Sequence, residues 1–96
     1  MHFEWDLRKN FLNIKKHKPS FEEARLIFQD PHIYSELDRI VDGEVRWRSI
    51  GYIYDVLIVL VAHTIWEDED VDEVIRILSA RRATAHERMR YEEAQR

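Results

Sequence analysis

Lys16 and His17 stand side by side in this chain, Arg46 and Arg48 flank Trp47, and Arg76, Arg81 and Arg82 crowd one later stretch. These residue types handle phosphate. A guanidinium meets two phosphate oxygens with a planar fork and stays charged, and an ammonium adds a point charge. An imidazole takes or gives a proton near neutral pH. Chemistry at a phosphodiester draws on such a set: an attacking hydroxyl is oriented, its proton withdrawn, and the charge growing on the phosphate neutralised. His17 is the candidate general acid or base, and Lys16 a candidate phosphate contact. A basic pair at a helix C-terminus would equally be explained by the helix dipole. Arg46, and less strongly Arg48, share a strand face with Tyr52, an arrangement able to hold phosphate and stack a base. The plain alternative is that both pair with Glu36 or Glu44. Arg76 and Arg81 flank Ser79-Ala80 and are favoured as phosphate ligands over Arg82, which adjoins the anion-attracting start of a helix. Lys9 repeats with Asn13 and Lys16 on one helix face and joins the candidate RNA contacts. Tyr91 is a further candidate contact, although a Tyr on the inner face of a terminal helix more often belongs to the core.

Other groups offer less. The chain has no cysteine, which removes disulfides, thiolate catalysis and cysteine-based zinc sites. His2, His32 and His86 show no metal-ligand spacing, so no metal or cofactor is expected. His63 falls within a buried strand, where a hydrogen-bonded core histidine is the expectation. Trp5, Trp47 and Trp66 read as packing.

The elements that must position these groups follow from periodicity. Asp6 caps a predicted helix over residues 7–17, with Leu7, Phe11 and Ile14 as its apolar stripe; Pro19 ends it. Ser20 and Glu23 form a capping box for a second helix that buries Phe21, Ala24, Ile27 and Phe28 before Asp30-Pro31 stops it. The pattern then changes to strands: a weak one over 32–38, a turn at Asp42-Gly43, an alternating strand over 45–53, an apolar central strand over 56–64, and a last strand over 74–80. Thr84 and Glu87 form a second capping box and open a third helix. The predicted domain is single, spanning 1–96. It is α+β: two N-terminal helices, an antiparallel sheet of about four strands, and a C-terminal helix.

With 96 residues, 45% hydrophobic and 35% charged, the chain has the composition of a small globular domain. Its net charge of −4 argues against a simple nucleic-acid binder, but the distribution matters more than the sum. Residues 1–20 hold five Lys/Arg against two acids, and residues 74–96 hold six against three. Six acids fall within residues 67–73, a block that would repel RNA if it lay beside the site. The longest apolar run, 56–62, is far below the roughly 20 residues of a membrane span. The N-terminus lacks a basic segment followed by an apolar one, so a cytoplasmic location is expected.

Phe3-Glu4-Trp5-Asp6, Lys9, Asn13, Lys16-His17, Ser20-Phe21-Glu22 and Asp30-Pro31 together resemble the opening of the BrnT toxin family. Arg46-Trp47 with Ile50-Gly51, then Arg76-Ile77-Leu78-Ser79-Ala80-Arg81, Ala83, Glu87 and Tyr91-Glu92 extend the resemblance through residue 92. Lys18 stands where members usually have Gly, and the acidic block is longer than usual. The resemblance implies a RelE-like fold, metal-independent ribonuclease activity that arrests growth, and a cognate DNA-binding antitoxin, BrnA. The toxin would then sit in a hetero-oligomer with an antitoxin dimer. A competing reading is an antitoxin-holding, promoter-tuning module with weak or lost catalysis.

Overall fold

The computed structural model describes residues 1–67, 69–70 and 72–96. Asp68 and Val71 of the acidic block lie outside the described residues. A five-stranded sheet in the order β1-β5-β4-β3-β2 carries the molecule. Its strands are β1 His2–Glu4, β2 Tyr34–Val41, β3 Glu44–Ile53, β4 Leu57–Trp66 and β5 Val74–Arg82. The sheet is mixed: β2, β3, β4 and β5 pair antiparallel in turn, whereas β1 runs parallel to β5 with His2 opposite Val74 and Glu4 opposite Arg76.

This corrects the expected architecture of two N-terminal helices, four antiparallel strands and a closing helix. Three residues of β1 are too few to show an alternation, and their partners lie seventy-two residues away, so nothing local marks them as a strand. The expected second helix is not formed as such. Phe21–Ala24 (α2) is a single α-helical turn that tightens into a 3-10 helix over Arg25–Gln29. Helix α1, Leu7–Lys16, precedes it, and α3, Ala85–Glu93, ends the chain.

Both capping boxes form as read: Ser20 with Glu23, and Thr84 with Glu87, each exchange the two reciprocal bonds. The central strand β4 is covered on both sides. On one face Phe21, Ala24 and Ile27 pack on Val59, Val61, Ile75, Ile77 and Ala80; on the other, Tyr91 of α3 packs with Ile50, Ile58 and Leu60. The 3-10 helix sits so close to β3 that a Cβ on Gly51 would lie 3.0 Å from Cβ of Ile27 and 3.1 Å from its carbonyl oxygen. Glycine is what permits that approach.

The acidic block joins β4 to β5 at the end of the sheet where His2 pairs with Val74. Arg81 is seven residues further along β5, about 20 Å away at roughly 3.3 Å per residue. That exceeds the Debye length of about 8–10 Å at ordinary ionic strength. The double replacement Glu67→Ser/Glu69→Ser is therefore expected to leave RNA affinity within twofold of the parent in a filter-binding titration at about 0.15 M salt. A severalfold gain would place the block beside the RNA.

Candidate active site

Helix α1 has an inverted pattern of burial. Asn10 and Asn13 are its buried residues, while Leu7, Phe11, Leu12 and Ile14 are exposed. The predicted apolar stripe therefore does not face the core. The two asparagines replace it as anchors. Asn10 accepts a bond from the Phe21 N–H at 2.9 Å and donates to Glu22 Oε1 at 2.8 Å, which ties α1 to the start of α2. Asn13 donates from Nδ2 to the Ala80 carbonyl at 2.8 Å, and its Oδ1 accepts from the Ala80 N–H at 3.3 Å. Strand β1 covers β5 only as far as Arg76. Beyond it, the Asn13 carboxamide meets the edge at Ala80 as a neighbouring strand would. Buried backbone groups must be paired, and this pairing fixes α1 along the second half of β5.

At 100° per residue, α1 then has four sides. Asn10 and Asn13 point to the sheet, and Arg8 and Lys15 point away from it. Lys9, Leu12 and Lys16 form one flank; Leu7, Phe11 and Ile14 form the other, about 170° round the helix axis. The basic flank and His17, which caps the helix C-terminus through its N–H to the Asn13 carbonyl at 2.7 Å, face residues 78–81 of β5 across a cleft of about 360 Å³. His17 and Arg81 also line an adjoining depression of about 350 Å³, with Arg82 and Thr84. Lys9, Lys16, His17 and Arg81 thus line one cleft, and Arg82 lines the depression that adjoins it.

Arg81 is held by Glu87. Its Nη1 and Nη2 donate to the two Glu87 carboxylate oxygens at 2.7 and 2.9 Å, and Nη1 also donates to the Arg82 carbonyl at 3.3 Å. Three of five guanidinium protons are used. The Nε–H and one Nη2–H keep no partner among the described residues, two donors in the plane that suits phosphate. The bond to Arg81 holds Glu87, although buried, well below the usual carboxylate range, at about 2, and the Thr84 N–H adds to it. The same bond pushes the Arg81 pKa up. The pair stays ionised at any working pH.

The remaining candidates lie elsewhere. Strand register places Arg46, Arg48, Arg76 and Arg81 on one face of the sheet, the face that α3 partly covers. Their charges are matched there: Arg46 lies 3.6 Å from Glu44, Arg48 3.0 Å from Glu36 and 3.8 Å from Asp38, and Arg76 3.4 Å from Glu4. For Arg46 and Arg48 this is the pairing weighed against a functional role. Arg90 of α3 also reaches Glu36, at 3.2 Å. Tyr91 is 4% exposed, and its hydroxyl donates to Asp30 Oδ2 at 2.6 Å, so it is not open to stack on a base. Desolvation pushes the phenol up, and Asp30 adds to this. Desolvation opposes the charged form of Asp30 too, but bonds from Tyr91, the Tyr52 N–H and the His32 N–H outweigh it and hold that carboxyl low. A depression of about 250 Å³ beside Asp30, Tyr52 and Asp55 carries two carboxylates and no cation, the wrong sign for phosphate.

Two residues that build the site were missed as such. Beyond their place in the family resemblance, Asn13 was read for its spacing with Lys9 and Lys16, and Glu87 as a cap. Asp30, read as a helix stop, anchors Tyr91 and the Tyr52 N–H away from the cleft. The available signal was the pair of asparagines at i, i+3 on α1, which share one side of the helix between the apolar stripe and the basic flank.

A sequence model of the ribonuclease toxin BrnT of type II toxin–antitoxin systems matches residues 5–87. No curated relative matches the chain. Among solved structures, the crystal structure of the Brucella abortus ribonuclease toxin BrnT is similar, with a TM-score of 0.61 and 21% identity over 88% of this chain and 97% of that one. At that identity the likeness speaks to the fold.

Proposed function

Because the chain belongs to the BrnT family of ribonuclease toxins of type II toxin–antitoxin systems, we propose that it cuts RNA in the cleft between α1 and β5. One observation carries this reading: Lys9, Lys16, His17 and Arg81, drawn from two distant stretches of sequence, line a single cleft. In this reading the RNA backbone lies along the cleft with the scissile phosphate at Arg81. The Nε–H and Nη2–H of Arg81 take the charge that grows on the non-bridging oxygens, with Lys16 beside them. His17 is the proton-transfer group. The 2′-oxygen attacks phosphorus as its proton leaves, the P–O5′ bond breaks, and the 5′-oxygen takes a proton. The products are a 2′,3′-cyclic phosphate and a 5′-hydroxyl. Lys9 and Arg82 hold flanking phosphates. Arg46, Arg48 and Arg76 serve the sheet, each through its carboxylate. The reaction proceeds without a metal, and chelators leave it unchanged.

A toxin of this family has an antitoxin partner. We place that partner as a BrnA-like DNA-binding dimer carrying the toxin in a hetero-oligomer in the cytoplasm. Among the described residues, no helix is long and apolar enough to cross a membrane.

The deciding measurement is cleavage of a defined RNA by the purified chain freed of its partner. Cut fragments ending in 2′,3′-cyclic phosphate are expected, with chelator present. Induced expression in bacteria should halt growth, and co-expression of the neighbouring antitoxin gene should restore it. Intact RNA and unimpaired growth at high soluble expression would favour the non-catalytic, promoter-tuning module. RNA affinity should also fall steeply with salt, with a log–log slope near −0.7 for each phosphate contacted on a single strand.

A further inference from the structure

The flank of α1 opposite the cleft lies open among the described residues. Leu7 is 78%, Phe11 57% and Ile14 41% exposed, at the i, i+4, i+7 spacing that makes one continuous stripe. A helix normally turns such a stripe to the core. Here Asn10 and Asn13 hold the core side, so the stripe is fixed outward by hydrogen bonds rather than left there by loose packing. Exposed contiguous apolar surface of this kind marks a contact site.

Charge narrows the choice of occupant. Helix α1 carries Arg8, Lys9, Lys15 and Lys16 and no acidic residue. Arg8 and Lys15 border the stripe along its outer side, and the Lys15 ammonium sits 4.7 Å above the Phe11 ring. A second copy of this chain packed stripe to stripe would bring Arg8 and Lys15 of both copies together across an interaxial distance of about 8–10 Å, like against like. A helix with its own apolar stripe and an acidic border meets both features at once. Another exposed apolar surface, Leu37 and Ile40 on edge strand β2, is a poorer seat: a bulge between Leu37 and Arg39 interrupts its pairing edge, and Asp38 and Arg39 sit beside it.

We propose that the Leu7–Phe11–Ile14 flank of α1 is the seat of an acidic amphipathic helix of the antitoxin, on a surface separate from the catalytic cleft. The proposal rests on the reading of the chain as a toxin with a neutralising partner. It makes α1 two-sided: one flank serves the RNA, and the other serves the protein that restrains the toxin.

The test is a separation of the two functions. Leu7→Ser/Phe11→Ser, and separately Arg8→Glu/Lys15→Glu, are made in the chain co-expressed with its antitoxin. Affinity for the antitoxin is measured by calorimetry on the repurified proteins, and RNA cleavage by the isolated chain is measured alongside. Circular dichroism confirms that α1 persists. The first variant is expected to lose 100-fold or more in antitoxin affinity, and the second about tenfold, with the parent complex weakening as salt rises. Both should cut RNA within a few-fold of the parent, uninhibited by stoichiometric antitoxin. Antitoxin affinity unchanged in the first variant overturns the proposal. So does a parent chain that dimerises through the stripe in sedimentation, or one that binds vesicles of anionic phosphatidylglycerol through it while antitoxin affinity is unaffected. A parent chain that binds antitoxin through this flank but cuts no RNA upholds the docking surface and defeats the ribonuclease reading alone.

Discussion

Replacing Arg81 with Ala lowers the rate of RNA cleavage by about 10²–10³-fold, the scale for losing one preorganised donor to transition-state charge. Arg81 is the cation that both strand and helix orient. Glu87 grips its fork from the first turn of α3, and the strand delivers it to the cleft that Lys16 and His17 line. Removing it also strips a buried carboxylate of its partner, so the Ala variant is expected to be less stable. Two further variants separate that loss from catalysis. Arg81→Lys keeps a charge beside Glu87 but gives up the planar pair of donors, and it should remain at least tenfold slow while unfolding close to the parent temperature. Glu87→Gln leaves the guanidinium in place but slackens its grip. Its loss should fall in kcat rather than in KM, because a poorly held guanidinium still binds phosphate but meets the transition state badly. Arg46→Ala and Arg76→Ala, whose charges are matched by Glu44 and Glu4, should stay within a few-fold of the parent. Single-turnover cleavage of a short RNA measures all five. An Arg81→Ala enzyme as fast as the parent would remove the cleft from the mechanism.

Local chemistry was legible from sequence wherever one segment sufficed. The two capping boxes, the Asp42-Gly43 turn and the alternation of β3 all depend on residues within a few positions of each other. What failed was decided at a distance. The outward turn of the Leu7–Phe11–Ile14 stripe follows from Asn13 meeting the backbone of Ala80, sixty-seven positions away, and periodicity ranks an asparagine below a leucine for burial. Strand β1 exists because the edge of β5 is open to it, not because His2–Glu4 prefer to be extended. The candidate site divides the same way. The resemblance marked Lys16-His17 and Arg81 separately, and the fold puts them at one cleft. It leaves Arg46 and Arg76 on the sheet face with carboxylate partners, because strand register fixes which face a residue takes but not which acid comes to meet it.

His63 makes the folded chain lose stability in acid, over a window set by its own burial. The ring is fully buried, packed edge-on against Phe28 at 5.0 Å. The Thr64 carbonyl, 3.3 Å from Nδ1, can only accept, so Nδ1 carries the proton and Nε2 accepts from the Ser49 hydroxyl at 2.7 Å. Ser49 in turn lies 2.7 Å from Ser35 Oγ. A proton added at Nε2 would turn the Ser49 hydroxyl from donor to acceptor and put a charge in the core where, among the described residues, no carboxylate bonds the ring. Burial accordingly pushes the imidazole down from 6.5 to about 4, against a small opposing pull from the Thr64 carbonyl. The unfolded chain takes this proton at about pH 6.5 and the folded chain only near pH 4, so the unfolded state binds more protons between those values and stability falls as pH falls. Over the full window the loss is roughly 3 kcal/mol, at about 1.4 kcal/mol per pH unit, a large share of the roughly 5–15 kcal/mol that holds a domain folded. Below pH 4 this contribution stops changing, and Glu87 takes over, since its lowered pKa gives stability that disappears as pH drops from about 4.5 towards 2. Urea unfolding midpoints measured from pH 7.5 to pH 3 should show the first slope in the parent and not in His63→Gln, which keeps a partner for Ser49 but cannot titrate. Equal slopes in the two proteins between pH 6.5 and pH 4 would mean that His63 is not the group that charges.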